Sequence, residues 1–166
     1  MTTRHETPAD GPLITAVIHR AFAGHPHSRG TEAAIVHQLR THGALTVSLV
    51  GELDGEVRGH VVASPVTIGG MPSNWYGLGP VAVDPASQLR GLGTRLVNDC
   101  LAALRRLGAS GCVVLGAPSY YARFGFRPLP GLVYPGPPAD HFMAHSFDGS
   151  RPAGEVRYHP AFDVKA

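Results

Sequence analysis

The stretch of sequence that decides the fold runs from residue 81 to residue 96 and reads VAVDPASQLRGLGTRL. It opens with three apolar residues, and the residues from Asp84 to Ser87 then have the composition of a turn. Gly91 and Gly93 follow at the start of a segment whose apolar residues recur at helical spacing. The pattern predicts a strand, a tight loop and a helix whose first turn contains two glycines.

The first turn of this helix has the chemistry of a phosphate-binding site. A helix N-terminus presents amide groups without intrahelical partners and the positive end of the helix dipole. Gly91 and Gly93 place no side chain over those amides, and Arg90 adds a positive charge beside them. The sequence excludes two other phosphate-binding loops. A dinucleotide-binding fingerprint needs a third glycine where Leu96 stands. A Walker loop needs a lysine after its last glycine, whereas the single lysine of the chain is Lys165.

The composition indicates one compact domain over residues 1–166. Glycine and proline are frequent, at 21 and 15 residues, while the hydrophobic fraction of 43% is enough for a core. The net charge is +2 and no window concentrates basic residues, so a nucleic-acid partner is not expected.

The sequence does not predict a membrane partner. Residues 59–83 carry no formal charge, but Pro65, Gly69, Gly70 and Pro72 interrupt the segment, so we expect two strands and a loop rather than a spanning helix. The N-terminus carries charges before any apolar run, which is not typical of a signal peptide. We therefore expect a cytoplasmic protein.

Neither the two cysteines nor the ten histidines form a pattern typical of a metal site. Cys100 and Cys112 are separated without a CxxC motif, and we expect both to be buried thiols. The closest histidine pairs, His25 with His27 and His141 with His145, have no cysteine or HExxH context. No metal is predicted.

The rest of the chain predicts an α+β domain with a mixed sheet and the order β-α-α-β-β-β-α-β-α-β. The six strands of this order are Thr2–Glu6, Leu45–Leu53, Val57–Ile68, Trp75–Val83, Gly111–Leu115 and an interrupted strand from Phe126, and Phe142–Phe147 is a candidate for one more strand after them. The predicted helices run from a cap at Thr7–Asp10 to about Ala23, from Thr31 to Gly43, from Gly91 to Leu107 and from Pro118 to Phe124. The pair Asp54-Gly55 predicts a hairpin turn, and Pro65 a bulge or an edge. Apolar residues in the last turn-rich segment, among them Val156 and Tyr158, predict that it packs.

Two motifs together resemble a known superfamily. The spacing Gln88-x-x-Gly91-x-Gly93 is similar to the pyrophosphate-binding motif of the GNAT acyltransferases, Gln/Arg-x-x-Gly-x-Gly/Ala. Downstream, the residues from Tyr120 to Phe126 resemble the Phe-Tyr-x-x-x-Gly-Phe signature that closes the cofactor site in that superfamily. The element order agrees as well, and further short matches resemble the YhbS-like branch. The resemblance covers residues 4–130 well and the tail loosely.

The resemblance implies a sheet flanked by helices, mostly antiparallel, with a V-shaped opening between the fourth and fifth strands. It implies acetyl-CoA, or another acyl-CoA, as co-substrate, with pantetheine along Val81 and Val83 and the diphosphate on the loop amides. The residues that match the cofactor site are Val81, Ala82, Val83, Gln88, Leu89, Arg90, Gly91, Leu92, Gly93 and Thr94. Many relatives keep an asparagine where Val114 stands, so one cofactor contact is expected to be absent or replaced.

By the same resemblance, Tyr121 matches the tyrosine often used as general acid, and a phenol with a pKa near ~10 suits protonation of a departing thiolate. The adjacent Tyr120 is a rival, and the oxyanion is expected at the amide of Val81 or its neighbour. The predicted fourth strand contains no acidic residue, so the general base stays open among water, Glu32, His60, Asp140, His141 and an acceptor that arrives deprotonated.

The function implied is N-acyltransfer, most simply of an acetyl group, to an amine that attacks the thioester directly in a ternary complex. The alternative is a module of the same fold that binds acyl-CoA without catalysis, for which the missing carboxylate is the only support. The acceptor, a small molecule or a peptide amine, is not identified. The walls of the acceptor site are expected at residues 22–32 on one side and, on the other, at an exposed loop at 69–76 and at residues 134–145. Trp75 is expected in the core, and a homodimer is an open option.

Overall fold

The structure is a computed structural model that describes all 166 residues of the chain. Its strands are β1 (Thr2–His5), β2 (Val47–Leu53), β3 (Glu56–Ile68), β4 (Met71–Val83), β5 (Gly111–Leu115), β6 (Leu132–Val133), β7 (Phe142–Ser146) and β8 (Gly154–Arg157). Its helices are α1 (Gly11–Phe22), α2 (Glu32–Thr41), α3 (Leu92–Arg106) and α4 (Pro118–Tyr121). None of these helices combines the length and the apolar character needed to cross a membrane.

The strands form one eight-stranded sheet, in which β1, β2, β3, β4, β5 and β7 lie side by side in that order. Each neighbouring pair in this row is antiparallel except β4 and β5, which are parallel because α3 carries the chain back across the sheet. β8 pairs with the far end of β3 and with the short β6. The predicted α+β class and the mixed, mostly antiparallel sheet are confirmed.

Two tight turns set the register of the central strands. Asp54 and Gly55 join β2 to β3 with positive φ angles of 53° and 79°, as the Asp-Gly pair predicted. Gly69 and Gly70 join β3 to β4 with φ angles of 60° and 77°. Because this second turn has only two residues, pairing resumes at Met71 rather than at the predicted Trp75. The expectation of an exposed loop at 69–76 is therefore wrong, since most of that segment is strand.

The sheet opens between β4 and β5. Their ladder contains only three pairs, from Trp75 with Gly111 to Gly77 with Val113. Beyond these pairs β4 continues along β3 alone, and β5 continues along β7 alone. The register of β4 on β3 shifts at Gly79 and Pro80, which is a bulge that bends the strand. The predicted V-shaped opening is confirmed, and we call the gap beyond Gly77 and Val113 the fork.

Apolar layers cover both faces of the sheet. On one face, α3 contributes Leu92, Leu96, Cys100 and Leu104, each at most 1% exposed. On the other face, α1 and α2 form a second core cluster. Trp75 is 3% exposed, which confirms its place in the core. Cys100 and Cys112 are both free and buried, as expected.

The structure departs from the predicted order after Phe126, where two short strands, β6 and β8, were not predicted at their observed positions. After Phe126 the chain makes only one bridge, between Arg127 and Ala144, before the two residues of β6. Pro128 and Pro130 have no amide hydrogen to donate to a ladder, which explains why no longer strand forms there. β8 was not predicted as a strand, but the packing of the last residues is confirmed, because Val156 is 1% exposed and Ala161 fully buried.

Candidate functional site

The loop before α3 forms a row of unpaired amide groups. Leu89 and Gly91 have φ angles of 64° and 86°, which turn the backbone sharply into the helix. The first α3 amide with a partner is that of Arg95, which donates to the Gly91 carbonyl at 3.0 Å. The six preceding amides, from Leu89 to Thr94, donate to no protein acceptor. We call these six groups the amide cradle, and they point a concentrated positive potential at one place.

Contacts before the cradle hold it in place. The Gln88 side-chain amide donates to the Val83 carbonyl at 3.3 Å, so Gln88 ties the loop to the end of β4. The carboxylate of Asp84 is 4% exposed and accepts from Arg20 at 2.8 Å and from the Ala86 amide at 3.2 Å. Burial alone would raise the pKa of Asp84, but these donors and the Arg58 guanidinium lower it overall.

Arg90 is exposed at the cradle and has no acidic partner, so its charge is free for an anion. The side chain of Leu89 is fully exposed, whereas that of Leu92 is buried in the core below α3. If this loop binds an anion, Leu89 and Leu92 can offer only their backbone amides to it, whereas Arg90 can offer its side chain as well.

The end of β4 has a free edge facing the fork. The Asp84 amide donates to the Arg58 carbonyl of β3 at 2.8 Å. Along an antiparallel strand, residues that hydrogen-bond to the neighbouring strand alternate with residues that do not. Ala82 therefore also bonds to β3, while the backbone groups of Val81 and Val83 point to the opposite edge of β4. No strand occupies that edge beyond Gly77. Val81 thus offers a free amide and a free carbonyl, and Val83 offers a free amide, because its carbonyl accepts from Gln88. Ala82, 2% exposed, points its side chain into the core of the other face.

Tyr121 is the last residue of α4 and lies beside Gly116, just past the end of β5. Its ring covers Gly116 so closely that a Cβ on that glycine would overlap the ring. It packs edge-on against Phe126 at 6.0 Å between ring centroids, and its hydroxyl has no hydrogen-bond partner in the protein. Burial raises the pKa of Tyr121 to about 12, and the fields of Tyr120 and Cys112 act in the same direction. The phenol is therefore fully protonated at neutral pH.

Tyr120 points to a different place. Its hydroxyl lies 3.3 Å from the position that a Cβ on Gly93 would take, so it reaches the start of α3. The Arg123 guanidinium sits 4.5 Å above the Tyr120 ring, and its Nε donates to the Tyr120 carbonyl at 3.0 Å. The two adjacent rings pack edge-on with their centroids 5.0 Å apart, but the Tyr120 hydroxyl reaches the amide cradle while the Tyr121 ring covers Gly116.

The four side chains considered as general bases lie in unlike surroundings. His60 is fully buried on β3, with Nε2 2.8 Å from the Ser48 hydroxyl, and burial lowers its pKa. Glu32 accepts a hydrogen bond from Ser28 at 2.6 Å. Asp140 and His141 pair with each other at 2.9 Å in an exposed turn. β4 itself contains no acidic residue over its observed length.

The structure also places near the fork two residues that the sequence analysis did not single out as functional, Ser64 and Tyr158. Ser64 is the register partner of Gly77 on β3, and the Tyr158 ring lies across Gly77. Tyr158 was noted only for packing, because no motif links the C-terminal segment to β4. Val114, where many relatives of the predicted superfamily have asparagine, is buried at 1% exposure and offers no polar group.

Comparison with known proteins gives consistent matches over most of the chain. Residues 14–126 match the model of the Acetyltransferase (GNAT) family. The chain is 41% identical over 128 residues to the uncharacterized N-acetyltransferase YhbS of Escherichia coli K12, covering 76% of this chain and 74% of YhbS.

Two solved structures are similar over almost the whole chain. A GNAT family acetyltransferase from Brucella melitensis, crystallised in complex with acetyl-CoA, is 45% identical with a TM-score of 0.88, covering 98% of this chain and 97% of that one. YhbS from Escherichia coli, crystallised in complex with CoA, is 35% identical in that superposition with a TM-score of 0.86, covering 98% and 92%.

Proposed function

Because the chain belongs to the GNAT acetyltransferase family, we propose that it transfers an acetyl group from acetyl-CoA to an amine that attacks the thioester directly. The observation that carries this proposal is the amide cradle from Leu89 to Thr94. A diphosphate has enough acceptor oxygens to take these donors, and the charge of Arg90 adds to the helix dipole. The relatives from Brucella melitensis and Escherichia coli, which hold acetyl-CoA and CoA, support this ligand.

The pantetheine arm has a matching surface on β4. Its two amide groups need donors and acceptors in an extended row, which the free amide and carbonyl of Val81 and the free amide of Val83 offer. An arm that starts at the cradle and follows this edge brings its thioester to the fork. The acetyl group then lies between the apex at Gly77 and the ring of Tyr121.

The chemical step is an acyl transfer between nitrogen and sulfur. The neutral amine forms a bond to the thioester carbon, and the carbonyl oxygen becomes an oxyanion that a β4 amide near Val81 stabilises. The tetrahedral intermediate then breaks its carbon–sulfur bond. The amine loses one proton to solvent or a base, and the sulfur leaves as a thiolate that gains one proton, so an amide and CoA result.

We assign the leaving-group role to Tyr121. With a pKa raised to about 12, its phenol is a weaker acid than an unperturbed tyrosine. A thiol has a pKa near ~8.5, so complete transfer from this phenol to a free thiolate is uphill. Tyr121 therefore acts mainly by donating a hydrogen bond to the sulfur while negative charge develops there, and the thiolate completes its protonation as CoA leaves.

A covalent acyl-cysteine intermediate has no suitable nucleophile. Cys112 is fully buried, and burial raises the pKa of its thiol well above the ordinary value. The burial of this thiol supports direct attack in a ternary complex. The alternative of a non-catalytic acyl-CoA-binding module draws no support from the relatives, since YhbS is named an N-acetyltransferase.

The first experiment is calorimetric titration of acetyl-CoA into the wild-type protein, Gly91→Glu and Gly108→Glu. Both glycines flank α3 and have similar φ angles of 86° and 81° with open space around them, so the backbone cost is matched. We expect micromolar binding that Gly91→Glu abolishes and Gly108→Glu retains. A folded wild-type protein that binds no acetyl-CoA would refute the proposal.

The second experiment is a screen of small-molecule and peptide amines with acetyl-CoA, in which release of CoA and the acetylated product are both measured. We expect Tyr121→Phe to lower kcat by about ten- to a hundredfold, the value of one hydrogen bond to a charged group, without weakening acetyl-CoA binding. Tyr120→Phe is the matched control, because its hydroxyl lies at the cradle rather than beside Gly116. Equal kcat values for wild type and Tyr121→Phe would reject the role of Tyr121.

A further inference from the structure

Two buried hydroxyl groups beside the fork have no hydrogen-bond partner. They belong to Ser64 and Tyr158, and both oxygens are inaccessible to solvent. A buried polar group without a partner is rare in native proteins and lowers stability. Both residues lie against Gly77, where a polar ligand would supply the missing partner.

Their position is defined by Gly77, the last residue of β4 that pairs with β5. Ser64 lies directly opposite Gly77 on β3, so the Ser64 side chain and a Cβ added to Gly77 point to the same face of the sheet. On that face the Tyr158 ring covers Gly77, and a Cβ added there would overlap the ring and lie 3.2 Å from Val66. The ring can occupy this place only because residue 77 is glycine. Both side chains therefore lie beside the apex of the fork, on the face opposite α3.

The Tyr158 hydroxyl is suited to donate a hydrogen bond. Burial raises the pKa of Tyr158, and the fields of Cys112, Tyr134 and Tyr121 add to this effect. The phenol is neutral and protonated at any physiological pH.

This inference rests on the proposed function, which brings a thioester to the fork. We propose that the Tyr158 hydroxyl donates a hydrogen bond to the carbonyl oxygen of the acyl group, with Ser64 as the second polar atom of this acyl subsite. A neutral donor among apolar side chains suits a neutral carbonyl, and the bond strengthens when the oxygen gains charge. The attacking amine is a poorer partner, because a phenol that donates to its lone pair would block the attack.

The test compares acetyl-CoA with S-ethyl-CoA, a thioether of the same chain length that lacks the carbonyl oxygen. Calorimetry gives the affinity of each ligand for the wild-type protein, Tyr158→Phe and the control Tyr134→Phe. Tyr134→Phe is a matched control because it removes the same hydroxyl from the neighbouring ring, which packs edge-on against the Tyr158 ring at 5.3 Å between centroids. We expect the preference for acetyl-CoA to fall about three- to tenfold in Tyr158→Phe, the value of one neutral hydrogen bond, and to persist in Tyr134→Phe.

The ligand-free proteins supply a second measurement. Tyr158→Phe removes an unpartnered buried hydroxyl and nothing else, so its melting temperature is expected to equal or exceed that of wild type. If Tyr158→Phe keeps the wild-type preference for acetyl-CoA, the proposal is wrong. If Tyr158→Phe does not fold, Ser64→Ala replaces it, and an unchanged preference there overturns the proposal equally. Failure of the wild-type protein to bind either ligand would instead refute the proposed function.

Discussion

Replacing Gly91 by alanine separates the backbone requirement of the cradle from its ligand chemistry. Gly91 is the N-cap of α3, with φ 86° and ψ 3° in the left-handed region. The nearest atom to an added Cβ is Met1 Cε at 4.0 Å, so no steric clash contributes. The cost is therefore that of the left-handed backbone alone, about 1–2 kcal/mol. For a domain of this size that lowers the melting temperature by about 2–8 °C.

Gly91→Ala is also expected to lower the affinity for acetyl-CoA. A non-glycine residue relieves the strain by turning towards negative φ, and this rotates the amides on either side of position 91. Each hydrogen bond from such an amide to a charged phosphate contributes about 1.5–3 kcal/mol. Losing one of them lowers the affinity for acetyl-CoA by at least about tenfold.

The assay pairs urea denaturation with calorimetry, and the matched control is Gly108→Ala. Gly108 follows the other end of α3, has φ 81° and has no atom within 4 Å of an added Cβ. We expect both variants to lose similar stability and only Gly91→Ala to lose acetyl-CoA affinity. Unchanged affinity in Gly91→Ala would refute the cradle reasoning, and unchanged stability would refute the backbone reasoning.

Three further predictions concern charge and reactivity. Burial raises the pKa of Glu6, but interactions with His60, Arg40 and Ser48 lower it overall. The ionised Glu6 therefore stabilises the fold above its unfolded pKa of about 4.3, and this stabilisation is lost as the pH falls below that value. In urea denaturation between pH 7 and pH 2, we expect acid to lower the free energy of unfolding less for Glu6→Gln than for wild type. Asp84→Asn is expected to lower the free energy of unfolding by about 1.5–3 kcal/mol, because the charge-assisted bonds to Arg20 and Arg58 weaken, and equal urea midpoints would contradict this. The two cysteines are buried, with the pKa of Cys100 raised to about 12, so mass spectrometry after iodoacetamide treatment should detect alkylation only when denaturant is present.

The parts of the site that were predictable from sequence are those that depend on local rules. The loop from Gln88 to Thr94 was predicted to bind through its amides, and the structure leaves those amides from Leu89 onward without protein partners. Positive φ at Gly91 and the apolar stripe of α3 are properties of neighbouring residues, so a short stretch of sequence contains their signal. The assignment of these residues to a cofactor stays a prediction that the experiments above address.

Other features were not predictable in this way because they depend on pairing between distant segments. The start of β4 at Met71 follows from a two-residue turn that allows pairing at once, although the sequence from 71 to 74 has the composition of a loop. β8 exists because β3 offers an unpaired edge at Thr67 and Ile68. A four-residue segment carries too little periodicity to predict such an edge strand on its own.

By itself, the sequence determined the local elements of this protein: a strand, a glycine turn and an amphipathic helix in an order that allows an α+β sheet. Backbone conformation and hydrophobic period depend on residues within one or two turns, which is why these elements could be predicted. Only the tertiary structure decided that β4 and β5 part after Gly77, that Tyr120 and Tyr121 point to different places, and that Tyr158 lies across Gly77. These features arise from contacts between segments far apart in the chain, whose geometry is set by the packing of the whole sheet.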